Sequence, residues 1–299
     1  VQKIRIGARG SKLSLIQANM VSSRLEQLGY GTEIIKIRTG GDENSETPLY
    51  RMDRVGVFVD RINERIADSS IDIAVHSAKD IPSVMDSAFS ICAVLPRDDP
   101  RDTIISSKGY SIRTLPSGSR VGTSSLRRAY ELKALRSDIN IMEIRGNVDT
   151  RVNRVADGEL DAVVLALAAY QRMHLDIGSA PLELNESVPA PNQGIIAVVC
   201  AASNAKMIDI LSGINDRKTR AIMLLERFAS STIGIGCSKP AGIIVTEENP
   251  GYHILARIRS EDMTTYAELD EHFSDDIEFR KIIETFVSRI PPSLRNELK

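Results

Sequence analysis

Val121-Gly-Thr-Ser-Ser-Leu-Arg-Arg128 and Ile144-Arg-Gly-Asn-Val-Asp-Thr-Arg151 constrain this chain more than any other stretch. Each reads as the end of a short apolar strand, a turn of small polar residues, and the start of a helix. Arginines stand where backbone N–H groups have no partner inside the helix. Such amides favour anions, and a guanidinium adds a planar fork that grips a carboxylate through two charge-assisted hydrogen bonds. Two such turns close together specify an α/β fold with a cleft at its strand ends. That cleft suits a ligand with several carboxylates.

At 299 residues the chain has room for two or three domains with full cores. A net charge of −2 argues against a protein that coats nucleic acid, so the cations act locally. Arginine outnumbers lysine 27 to 11, which suits bidentate anion binding. No apolar run approaches the roughly 18 residues of a membrane span. Lys3-Ile-Arg-Ile-Gly-Ala8 lacks the apolar core of a signal peptide, so a cytoplasmic protein is expected. Three cysteines without metal-like spacing fit a reducing compartment, and four dispersed histidines argue against a zinc site. No metal is expected. Tryptophan is absent and aromatics make up only 4%, which disfavours base stacking. There is no Walker-type loop to support nucleotide binding.

Strand and helix signals alternate through the first half. Strand-like runs cover Lys3–Ala8, Thr32–Arg38, Ile71–Val75 and Phe89–Leu95, with helical spacing over Leu13–Leu28 and at Phe58, Ile62 and Ile66. Arg38–Arg54 reads as a long polar loop, a kind that is usually functional or mobile. The charged run Arg97–Asp102 reads as a crossing into a second α/β unit, with strands near Arg120–Val121, Ile139–Ile144 and Ala162–Leu167. Pro189–Gly194 reads as the return linker, before a buried strand Ile195–Cys200. A helix over Asp216–Ala229 follows, broken by Gly234-Ile-Gly236. Strands at Ile243–Thr246, Tyr252–Arg259 and Thr264–Glu268 and a helix over Asp275–Ile290 then suggest a separate α+β unit. The expected domains are 1–96 with 195–213, then 97–194, then 214–299.

His76-Ser-Ala-Lys-Asp80 follows an apolar strand, so Lys79 and Asp80 stand at a strand's carboxyl end. They offer a cation for a substrate carboxylate and a carboxylate for proton handling. On this segment alone the favoured reading is a solvated loop, or Asp80 capping a short helix that begins near Pro82. Cys92 and Cys200 lie in apolar runs and read as small core residues. Cys237 sits in Gly234-Ile-Gly-Cys-Ser-Lys-Pro240, where Lys239 would favour thiolate; a structural cysteine in a tight loop is the competing reading. Arg9, Arg127, Arg128, Arg145, Arg151 and Arg172 all fall at or just after strand ends. Any one alone reads as a surface ion pair. Ser11, Thr123 and Ser125 read as helix caps whose hydroxyls could also meet an anion.

Taken together, these motifs resemble those of the porphobilinogen deaminase (hydroxymethylbilane synthase) family. The resemblance runs in order through Ile6–Ser11, His76–Pro82, Arg97–Asp102, Val121–Arg128, Arg145–Arg151, Asn192-Gln-Gly194 and Gly236-Cys237, nearly the whole chain. It implies a transferase of tetrapyrrole biosynthesis that joins four porphobilinogen molecules head to tail, releasing ammonia, to give hydroxymethylbilane. It implies two periplasmic-binding-protein-like (type II) α/β domains around a cleft, plus a smaller C-terminal α+β domain. It implies a dipyrromethane cofactor in thioether linkage to Cys237, with Lys79, Thr123, Ser125, Arg127, Arg128 and Arg151 around it. Asp80 becomes the catalytic carboxylate, stabilising an azafulvene cation and pyrrole N–H groups. Arg9, Ser11, Phe58, Arg145, Gly146, Arg172 and Gln193 become substrate-binding residues. Porphobilinogen is then the partner, with no nucleic acid and no membrane, and the protein is expected to be a monomer.

Two positions depart from the family pattern: Val55 stands where lysine is usual, with Arg51 or Arg54 as substitutes for its charge, and Ala169 where glycine is frequent. A non-catalytic module that binds small carboxylates is the alternative that the arginine turns would serve.

Overall fold

A computed structural model describes residues 3–37, 57–235 and 239–298, and the side chains of Val57 and Phe58 are not among the described atoms. The expected loop Arg38–Arg54, Arg51, Val55 and Cys237 lie outside the described residues.

The first sheet begins with β1 (Ile4–Arg9), α1 (Lys12–Gln27), β2 (Thr32–Ile37), α2 (Val57–Ala67), β3 (Ile73–Ser77) and β4 (Phe89–Val94). Ser11 starts α1 by accepting from the Ser14 amide at 3.3 Å, satisfying one of the helix's unpaired donors. The strands are apolar on both faces because helices cover both. Ile4, Ile6 and Val75 pack with Ala18, Val21 and Leu25 of α1, while Ala74 packs with Val59, Ile62 and Ile66 of α2. Gly7 is needed for close approach, since a Cβ there would stand 2.3 Å from Ile71 Cδ1.

The chain then builds a second sheet from β5 (Asp102–Ile105), β6 (Arg120–Gly122), α3 (Leu126–Leu135), β7 (Asn140–Met142), α4 (Val148–Ala156), β8 (Ala162–Ala166), α5 (Leu167–Arg172) and β9 (Ser179–Pro181). It returns to the first sheet through β10 (Ile196–Ala201) and α6 (Ala205–Ser212). The strand orders are β2-β1-β3-β10-β4 and β7-β6-β8-β5-β9. These are the same arrangement: a parallel trio, one antiparallel strand, then an outer strand. In each sheet the antiparallel member is the strand that arrives by a crossing from the other sheet. Two such crossings between like sheets give the type II two-lobed fold, with the parallel strands' carboxyl ends as the natural site.

The remainder comprises α7 (Arg217–Ile233), β11 (Ala241–Glu247), β12 (Tyr252–Arg259), β13 (Tyr266–Phe273), α8 (Asp276–Arg289) and α9 (Pro292–Leu298). The strands form an antiparallel meander, and one face packs Ile243, Ile254, Ala256 and Ile258 against Phe279, Ile283 and Phe286 of α8. On its other face Ile244 and Leu255 meet Val188 of the return crossing. α7 binds this unit to the first sheet, with Met223 in the α2 cluster.

Several boundaries move. The strand expected at Ile71–Val75 runs Ile73–Ser77, because the Ile71 amide still closes the end of α2 on Arg65 O. Asp102, expected in a charged turn, opens β5. β13 extends to Phe273, beyond the expected Glu268; this edge strand is mostly exposed and carries little apolar signal.

Candidate active site

The expected site residues arrive at the carboxyl ends of the parallel strands. Arg9 closes β1 and is half-buried, and Ser11 caps α1. β3 ends in a single 3-10 turn, Ala78–Asp80, tied down by the Ala78 amide donating to Ile195 O at 2.9 Å. On that turn Asp80 is exposed and Lys79 half-buried. Asp80 lies within this turn and does not cap a helix beginning near Pro82.

After β6, Thr123 Oγ1 accepts from the Ser125 amide at 3.2 Å, and Ser125 Oγ caps α3. Ser125 is therefore the cap and Thr123 shapes the turn before it. Arg127 and Arg128 follow in the first turn of α3, only 5% and 8% exposed. Both close on Asp102, which is fully buried. Arg127 Nη1 reaches Asp102 Oδ2 at 2.7 Å; Arg128 donates to Oδ1 from Nε at 3.0 Å and Nη2 at 2.8 Å. These guanidiniums hold the Asp102 carboxyl far below the usual range against the opposing effect of its burial.

Gln193 completes the floor. Its Nε2 donates to Pro100 O at 2.7 Å and Asp102 Oδ1 at 2.9 Å, while its Oε1 accepts from Lys79 Nζ at 3.2 Å and Arg128 Nη2 at 3.4 Å. Acceptors on one side and cations on the other fix the amide's orientation. Burial first, and then Arg128, push the Lys79 ammonium down to about 8. Burial and Arg128 likewise push Arg151 down to about 10. Lys79, Arg127, Arg128 and Arg151 thus form one cationic cluster that feels its own charge.

Arg151 stands on α4 with its Nε donating to Gly146 O at 2.9 Å. Gly146 takes φ of +102°, a left-handed conformation open to glycine, in the turn that presents half-buried Arg145. Arg172 braces the two crossings: Nε pairs with Asp98 at 2.7 Å and Nη2 donates at 2.6 Å to the carbonyl of Gly194, the residue after Gln193. Phe58 lies in the first turn of α2. Cys92 and Cys200 are free thiols, buried in the first sheet's core as expected.

Sequence reasoning missed Asp102 because four charged neighbours in Arg97–Asp102 made the segment look solvated. The apolar run Ile104-Ile105 just after it was the available signal.

A porphobilinogen deaminase family model, described as the dipyromethane cofactor binding domain, matches residues 4–209. A "probable porphobilinogen deaminase" of Picrophilus torridus is 49% identical over 240 residues, covering 80% of this chain and 84% of that protein. Another, from Thermoplasma volcanium, is 40% identical across 97% of this chain and 96% of its own length. A porphobilinogen deaminase of Mycobacterium marinum is 43% identical over 81% of this chain and 76% of its own. Among solved structures, the Bordetella pertussis BvgS periplasmic VFT2 domain aligns at 14% identity with a TM-score of 0.43, over 76% of this chain and 90% of that one. That likeness is too slight to add to the strand order. With a family model across most of its length and relatives this similar, the chain belongs to the porphobilinogen deaminase family.

Proposed function

We propose that this chain condenses four porphobilinogen molecules head to tail into hydroxymethylbilane, expelling ammonia at each joining, with Asp80 as its catalytic carboxylate. The observation that carries this reading is the placement of exposed Asp80 one residue from Lys79, which opens onto the cluster of Arg127, Arg128 and Arg151. Each pyrrole unit brings two carboxylates, and burying them unpaired would be prohibitive. Charged hydrogen bonds contribute about 1.5–3 kcal/mol each.

The donor set fits a dipyrromethane, a group rich in carboxylates: forked guanidiniums, an ammonium and capping hydroxyls converge, and one resident carboxylate balances them. Cys237 would hold it covalently, with Lys79, Thr123, Ser125, Arg127, Arg128 and Arg151 around its side chains. When bound, it supplies the pyrrole end on which the chain grows. Arg9, Ser11, Phe58, Arg145, Gly146, Arg172 and Gln193 would receive incoming substrate. Asp80, exposed on the turn after β3, would stabilise the pyrrole N–H and the positive charge that develops as ammonia departs. A fixed carboxylate stabilises that charge more in the transition state than in the neutral ground state, which is the requirement for catalysis.

The three sheets and their separate cores support domains of 1–96 with 195–213, 97–194 and 214–299. We further read the protein as a cytoplasmic monomer that binds no nucleic acid, supported by its net charge of −2. Among the described residues, no helix is long and apolar enough to cross a membrane. A non-catalytic carboxylate-binding module is the less favoured alternative. Intact mass separates the two: the purified protein should carry a covalent dipyrromethane, and protein at apo mass that gains none on incubation with porphobilinogen would overturn the assignment.

A further inference from the structure

Asp102 is a buried carboxylate with no direct place in the chemistry, yet the cationic floor is organised around it. Its Oδ2 accepts from Arg127 Nη1 at 2.7 Å and Ser187 Oγ at 3.1 Å. Its Oδ1 accepts from Arg128 Nε and Nη2 and from Gln193 Nε2. Both oxygens are thus filled, and the group stays ionised throughout the working pH range. It has neither a proton to give nor a lone pair free to take one.

Its position in the chain matters as much as its charge. Asp102 is the first residue of β5, where the outward crossing ends. Ser187, Val188 and Gln193 all belong to the return crossing, and Arg127 Nη1 also donates to Val188 O at 2.7 Å. Gln193 then carries the link to Lys79, on the turn from the first sheet. One carboxylate therefore joins α3, both crossings and the Lys79–Asp80 turn. Without it, Arg127, Arg128, Arg151 and Lys79 would face each other as like charges.

We propose that Asp102 is a positioning residue: a resident carboxylate that holds Arg127 and Arg128, and through Gln193 Lys79, in place before a ligand carboxylate arrives. Its functional meaning rests on the reading of this cleft as the cofactor's site. Among the described residues, the charged and polar groups facing Lys79 include Asp80 on its own turn, Gln193 on the return crossing, Arg127 and Arg128 from α3, and Asp102 from β5. Removing Asp102's charge leaves the arginines' repulsion opposed by Asp80 and no longer by Asp102, so Lys79 should lose its proton more readily.

The test is pH-dependent amine labelling of the full-length protein, mapped by mass, with exposed Lys206 as internal reference. Labelling is done in a Cys237→Ala background, so that the cofactor's own carboxylates cannot move the Lys79 midpoint, and cofactor loading is read by intact mass on parallel samples with Cys237 intact. Protein with Asp102 in place should label at Lys79 with a midpoint near pH 8. Asp102→Asn should move that midpoint down by about half a pH unit or more and lower the loaded fraction. Asp102→Glu, which keeps the charge, should recover most of the shift. Should Asp102→Asn fail to fold, Gln193→Leu cuts the link to Lys79 while sparing the ion pairs, and should lower the midpoint as well. An unchanged Lys79 midpoint in the folded variant overturns the role, whatever happens to loading. A lowered midpoint with wild-type loading keeps the orienting role and contradicts the cleft as the cofactor's site.

Discussion

Arg97 and Glu226, 129 residues apart in the chain, meet as an ion pair at 2.7 Å in which the carboxylate is wholly buried. Glu226 also accepts from the Asn192 amide at 2.5 Å and the Val245 amide at 2.8 Å. One side chain on α7 therefore fastens the outward crossing, the return crossing and the edge of the C-terminal sheet. The two crossings are where a two-lobed fold would bend, so this pair limits how the lobes and the C-terminal unit move relative to one another.

Cutting a buried pair leaves an uncompensated charge, at a cost of about 3–5 kcal/mol. Glu226→Ala strands Arg97 and two backbone amides, so it should destabilise by at least that range. Chemical denaturation of the variant checks this. A loss below about 1 kcal/mol would show that the junction does not depend on the pair.

His76 gives the fold a pH dependence in β3, the strand that leads into the Asp80 turn. It is 6% exposed, its Nε2–H donates to Asn63 Oδ1 at 3.2 Å, and burial pushes its pKa down to about 4. Between pH 6.5 and 4 the unfolded chain binds a proton that the folded chain refuses, so stability falls as pH falls through that window. The loss is on the order of 3 kcal/mol. His76→Gln should remove this contribution, so the stability difference between variant and wild type should change with pH across that window. A constant difference would contradict it.

Arg127 and Arg128 act through geometry as well as charge. Arg128→Lys keeps the charge but cannot place the Nε and Nη2 donors on Asp102 and Nη1 on Val164 O from one planar group, so it should impair cofactor assembly. Intact mass checks the outcome, and full loading would contradict it. Arg280→Lys is the comparison on α8. Arg280 is not a bare surface charge, since its guanidinium lies 4.2 Å from the Phe228 ring centre. A lysine retains most of that contact, so the change should cost under about 1 kcal/mol.

Cys237→Ala should yield protein of apo mass with no deaminase activity. Cys92 and Cys200 are buried in the first sheet's core and cannot substitute for it. Cofactor retained at either thiol in that variant would sink the assignment.

Much of this architecture is written locally in the chain. The strand-turn-helix unit around Thr123–Arg128 carries its own cap and that around Arg145–Arg151 its own turn glycine, so position and chemistry could be read together. What escaped depends on distant partners. Asp102 looked solvated beside Arg97, Asp98, Asp99 and Arg101, and only the approach of α3 and Gln193 makes it a buried centre. Arg172 also braces the crossings through Asp98 and Gly194, 74 and 22 residues away, contacts that had no local signal. The pairing of β5 with β8 and β9 had no local signal beyond a few apolar residues.

Turnover of Asp80→Asn, measured on protein shown by intact mass to be fully loaded with cofactor, tests the central claim most directly. The substitution preserves shape and removes the one carboxylate exposed at the β3 turn beside the cationic floor. The variant should fold and bind porphobilinogen but turn over about 10²-fold more slowly or worse, while Asp80→Glu keeps part of the rate. Near-normal turnover by fully loaded Asp80→Asn would place the catalytic carboxylate elsewhere.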